Sequence, residues 1–145
     1  MQRFNLLLVK TPASTGKKAL KAISKVFRRN FVFHVETKDE ASELLAKLNI
    51  DLVLVDLDAC SVDLAAFTQK HPRAIVWGLS QDPYRINVRI NPERNRIFEK
   101  SDFASQMIAE LKTIKRERQR PAKPARERQQ KAGSDDFNFV KLVMN

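Results

Sequence analysis

The feature that most constrains this chain is the alternation of continuous apolar stretches with amphipathic ones. Phe4–Val9, Ile50–Leu57 and Ala74–Leu79 are apolar along most of their length, the pattern of strands buried on both faces. Between them, Leu20, Ile23 and Phe27 fall at i, i+3 and i+7, with Ala19, Ala22 and Val26 beside them, which marks one face of a helix. Phe31–Val35 is aromatic and β-branched and reads as a second strand. Thr37-Lys38-Asp39-Glu40 has the form of a capping box. It opens a helix expected to turn Ala41, Leu44, Leu45 and Leu48 inward. Ser61 is expected to cap a short helix carrying Leu64 and Phe67. Arg96–Phe98 reads as a short strand, and Ser101 as the cap of a last helix with Phe103, Met107, Leu111 and Ile114 inward. Such alternation implies a parallel sheet with helices on both faces and right-handed crossovers. Functional groups then gather at the carboxyl ends of the strands. Gln81–Asn95 holds Pro83 and Pro92 and no helical stripe, so a fourth helix is expected to be absent or irregular.

Composition removes several function classes. With 145 residues and 43% hydrophobic content, the chain can build one domain with a core. No apolar run approaches the ~20 residues of a membrane span, and the first residues lack a secretory signal. A cytoplasmic protein is the expectation. The single cysteine, Cys60, excludes an internal disulfide and a cysteine-built zinc site. Thr11–Lys18 sits where a phosphate-binding loop would sit. However, Thr11 replaces the first glycine of that pattern and Lys18 its hydroxyl residue. His34 and His71 have no nucleophile placed beside them in sequence, so no triad is expected. No cofactor and no metal are expected.

The net charge of +10 is unevenly distributed, and more than half of it falls after Leu111. Lys112–Lys131 is dense in Lys and Arg, contains Pro121 and Pro124, and has too few large apolar residues to offset ordering entropy. It suits polyanions bound by counterion release, with Lys115, Arg116, Arg118, Arg120, Lys123, Arg126, Arg128 and Lys131 as the candidates. An apolar peptide follows, in which Phe137, Phe139, Val140, Leu142 and Val143 are candidates for docking, either on a partner or back on the chain's own domain over the surface left by the missing helix. The expected organisation is a domain over 1–118, a basic linker over 119–133 and a docking peptide over 134–145.

The order and position of these elements resemble the receiver domain of bacterial response regulators. Val53-Leu54-Val55-Asp56 resembles the third strand ending in the phosphoacceptor aspartate. Leu79-Ser80 resembles the fourth strand with its switch hydroxyl, and Phe98-Glu99-Lys100 the fifth with the lysine that contacts the phosphoryl group. The resemblance implies a flavodoxin-like, doubly wound, five-stranded parallel sheet of order 2-1-3-4-5. It also departs from the family. Lys10-Thr11 stands where the first strand would end in a Mg²⁺-binding acidic pair, and Ser101 replaces the usual proline. The expectation is a degenerate site of Asp56, Lys10, Thr11, Ser80 and Lys100, with Lys10 in the metal's place and ion-paired to Asp56. Asp58 could supply one oxygen but is expected to lie on the wrong strand to restore the site. The function expected is that of a non-catalytic pseudo-receiver that binds proteins through the 81–118 face and the tail. A nucleic-acid- or ribosome-binding accessory protein, and an atypical receiver still phosphorylated on Asp56, are the alternatives.

Overall fold

The structure is a computed structural model that describes residues 3–119. The elements run β1 (Phe4–Val9), α1 (Ala13–Val26), β2 (Asn30–Val35), α2 (Lys38–Lys47), β3 (Leu52–Asp56), α3 (Leu64–Lys70), β4 (Ile75–Ser80), β5 (Asn95–Glu99) and α4 (Phe103–Gln119). All neighbouring strands are parallel, in the order β2-β1-β3-β4-β5. This is the doubly wound, flavodoxin-like sheet.

The two-residue period of a strand divides the apolar runs between two cores. Leu6, Leu8, Leu52, Leu54, Trp77 and Leu79 face α1 and α4. Leu7, Val9, Val53, Val55 and Val76 face the other way, with Ala41 of α2 and with Leu64 and Phe67 of α3. Burial on both sides explains why these strands carry no polar alternation. Strand β2 is at the edge, and it leaves Phe31 and Val32 exposed.

The capping box is formed: Glu40 N donates to Thr37 Oγ1, and Glu40 Oε1 accepts from Thr37 N. Other expectations are corrected. Asp63 caps α3, its carboxylate accepting from Ala66 N at 3.0 Å, while Ser61 lies in the preceding loop. Ser101 lies in a turn, and α4 begins at Phe103 after Asp102, which accepts from Ser105 Oγ at 3.1 Å. Leu20 is 39% exposed because the buried stripe of α1 centres on Ala19, Ala22, Ile23 and Val26. Leu48, just past α2, is also exposed.

No helix forms between β4 and β5. The crossover instead turns Ile86 and Val88 against the second core. Its backbone is held by α3, where Ala65 N donates to Arg89 O at 3.0 Å. At its end, Asn95 Nδ2 donates to Thr68 Oγ1 and Val76 O at 2.7 and 2.9 Å, and these are buried bonds. No helix among the described residues is long and apolar enough to cross a membrane.

The chain divides into two units, Met1–Lys115 and Arg116–Asn145. Of the second, only the last turn of α4 is described. The expected linker beyond Gln119 and docking peptide, including Arg120, Lys123, Arg126, Arg128, Lys131, Phe137, Phe139, Val140, Leu142 and Val143, lie outside the described residues.

Candidate functional site

Parallel strands bring their carboxyl ends to one edge, and register decides which side chains meet there. Asp56, the last residue of β3, pairs with Leu79, and Ser80 of β4 pairs with Glu99. Lys100 follows directly, its N–H donating to Ser80 O at 2.9 Å. Asp56, Ser80 and Lys100 therefore converge.

Asp56 is 1% exposed. Its Oδ1 accepts from the backbone N–H groups of Asp58 and Ala59 at 3.0 and 3.3 Å. Its Oδ2 has no aligned hydrogen-bond donor but stands 2.8 Å from Lys100 Nζ. The same ammonium lies 2.9 Å from Asp58 Oδ2. Asp58 also accepts from Ser80 Oγ at 3.0 Å and from Gln81 N at 2.9 Å. Ser80 Oγ in turn accepts from Asp82 N at 3.1 Å. One cation thus bridges two carboxylates, and the second carboxylate absorbs the hydroxyl and the loop amide.

The titration of these groups follows. Burial alone would raise the Asp58 carboxyl, but the bonds from Lys100, Gln81 and Ser80 outweigh it and hold the group below its usual value. Burial would likewise lower the Lys100 ammonium, yet the hydrogen bonds and charges of Asp56 and Asp58 raise it.

Asp58 stands beside Asp56 and shares its cation, and without a carboxylate from the end of β1 it does not restore a metal site. The chain leaves β3 in a turn at Leu57 and Asp58, where Asp58 N donates to Asp56 Oδ1, and this turn sets the two carboxylates side by side. Lys10 corrects the expectation that it pairs with Asp56, because its side chain is exposed and forms no ion pair with Asp56. Its φ of 52° is the left-handed conformation, uncommon for a residue with a Cβ. Its N–H bonds to Val35 O of β2 at 2.9 Å. Thr11 is buried, but its hydroxyl turns back to Val9 O at 3.3 Å, and its carbonyl meets His34 Nε2 at 3.1 Å. Lys10 and Thr11 therefore stand apart from the Asp56 network.

These residues do not fit a divalent cation. Mg²⁺ wants six oxygen ligands in near-octahedral array, whereas Asp56 and Asp58 already share the Lys100 ammonium and no carboxylate comes from the end of β1. No group of three or more metal-ligating side chains occurs among the described residues.

The described basic candidates are partly committed elsewhere. Lys115 Nζ donates to Val26 O, the last residue of α1, at 3.0 Å. Arg116 and Arg118 lie in the last turn of α4. In the crossover, Arg85 pairs with Asp82 and Arg89 with Asp63, while Arg94 binds the carbonyls of Pro72 and Ala74; in β5, Arg96 pairs with Glu110.

No protein-family model and no curated protein sequence matches the chain. Solved structures do. A response regulator from Thermotoga maritima matches at 16% identity and a TM-score of 0.53, over 77% of this chain and 99% of that one. The signal receiver domain of an HD domain-containing protein from Pseudomonas fluorescens Pf-5 matches at 20% identity and 0.51, over 78% and 99%. A protein described as an atypical orphan response regulator with a phosphorylation-independent regulatory mechanism matches at 18% identity and 0.51, over 76% and 93%. The fold is that of a receiver domain.

Proposed function

We propose that the chain is a non-catalytic pseudo-receiver that acts by binding other proteins and does not use phosphorylation of Asp56. The observation that carries this reading is the bridge of Lys100 across Asp56 and Asp58. Attack by a carboxylate on a phosphoryl donor brings two anions together, and that repulsion has to be neutralised. Here the neutralising ammonium is already committed to two carboxylates. Asp58 also holds the Ser80 hydroxyl and the Gln81 amide. Asp58 thereby engages both Ser80 and Lys100, the two side chains that the receiver resemblance assigns to the phosphoryl group. The likeness to a protein described as phosphorylation-independent supports the same direction.

With its chemistry closed, such a domain works through its surface. The crossover that replaces a helix presents Tyr84, 98% exposed, and Ile90, on the 81–118 face where protein binding is proposed. The test is incubation of the full chain with a small-molecule phosphodonor and Mg²⁺, read by intact mass. No added phosphoryl group is expected, and stoichiometric labelling at Asp56 would reverse the reading.

A further inference from the structure

At the opposite end of the sheet lies an open cleft of about 530 Å³, within the size range of ligand sites. It is bounded by the C-terminal ends of α2 and α3. Its apolar part is Leu45, Leu48 and Ile50, and its rim carries Lys47, Lys70 and Arg73. Leu48 is 41% exposed there. None of the three cations makes an ion pair among the described residues. Asp51 lines the same cleft, but its carboxylate accepts from Asn5 N at 2.7 Å. His71 adds no charge near neutrality, because burial and the adjacent Lys70 hold its imidazole below its usual value.

The helix macrodipole accounts for Lys47 and Lys70, which end α2 and α3. It does not account for Arg73, which lies beyond α3, nor for an exposed leucine set among the cations. Cations without internal counter-ions beside an apolar floor are complementary to a ligand that is anionic and apolar together.

We propose that this cleft binds a peptide segment of another protein that carries carboxylates beside a large aliphatic side chain. A simple anion or a polynucleotide would meet the rim and leave Leu48 uncovered. The carboxylates would lie against Lys70 and Arg73, and the aliphatic group against Leu45, Leu48 and Ile50.

The test uses the full chain, isotopically labelled, and its amide resonances. The probes are an acetylated hexapeptide alternating Asp and Leu, its Lys–Leu counterpart, inorganic phosphate and a short single-stranded oligonucleotide. The Asp–Leu peptide is expected to shift Leu48, His71 and Arg73 saturably below millimolar concentration, and the Lys–Leu peptide to shift none of them. Lys70→Glu combined with Arg73→Glu is expected to weaken binding by about tenfold or more. Leu48→Ser is expected to weaken it by roughly fivefold. These positions are exposed, so the remaining spectrum serves as the control for folding. The proposal is overturned if the peptide's shifts fail to saturate or scatter outside the cleft. It is equally overturned if phosphate or the oligonucleotide occupies the cleft as tightly as the peptide.

Discussion

The two ends of the sheet carry opposite electrostatic arrangements. At the carboxyl end, Asp56 and Asp58 face the ammonium of Lys100, and the nearby hydroxyl and amide close onto Asp58. At the amino end, Lys47, Lys70 and Arg73 surround an open cleft, and among the described residues no carboxylate is paired to any of them. The fold alone would direct attention to the carboxyl end. The charges draw attention to both ends: at the carboxyl end they are paired internally, while the amino end's three cations have no ion-pair partner among the described residues.

The largest expected effect comes from removing the shared cation. Lys100→Met leaves the buried Asp56 carboxylate without its counter-charge and should cost about 3 kcal/mol in denaturant unfolding. A loss below ~1 kcal/mol would mean that the bridge does not hold this end together. Next comes Asp58→Asn, which keeps an acceptor for Gln81 N but weakens the bond to Lys100. About 1 kcal/mol is expected, discounted for the part-exposed side chain, with faster hydrogen exchange at Gln81 and Asp82.

The two ends should also titrate apart. Asp58 sits below its usual 3.8 when folded, so its contribution is complete above that value and is lost as pH falls through the folded pKa. Lys100 sits above its usual 10.5, so its contribution is complete below that value and is lost as pH rises through the folded pKa. His71, at the amino end, sits below its usual 6.5. It therefore stabilises the fold above that value and costs stability as acid protonates it. Denaturation midpoints against pH should show the His71 limb at milder acidity than the Asp58 limb, and Asp58→Asn should remove only the latter. The smallest effect is expected of Lys47→Ser. It removes a cation with no ion-pair partner among the described residues and should move stability by less than about 0.5 kcal/mol. A larger loss would show that the open end is a stabilising arrangement after all.

Much of this fold was legible because strands buried on both faces write themselves as unbroken apolar runs. The missing helix was legible through Pro83 and Pro92, which deny the crossover a helical stripe. Asp56, Ser80 and Lys100 were legible as strand ends. Lys10 misled because its left-handed backbone is set by tertiary context and has no signature in hydrophobic pattern. Asp58 was legible as a neighbour of Asp56 at the same strand end, but the turn that lets it share Lys100 and hold Ser80 has no signature in hydrophobic pattern. The amino-end cleft had no signal, since Leu48, Lys70 and Arg73 come from segments separated in sequence and only packing joins them.

The unhelical crossover has a further consequence. Tyr84 stands almost wholly in solvent within a stretch that forms no helix or strand, which is what a protease needs in order to grip a chain. Downstream of it, Arg89 is tied to Asp63 and Ala65, and β5 is zipped to β4. A nick beside Tyr84 would therefore cut the polypeptide and leave its two fragments clasped as one body.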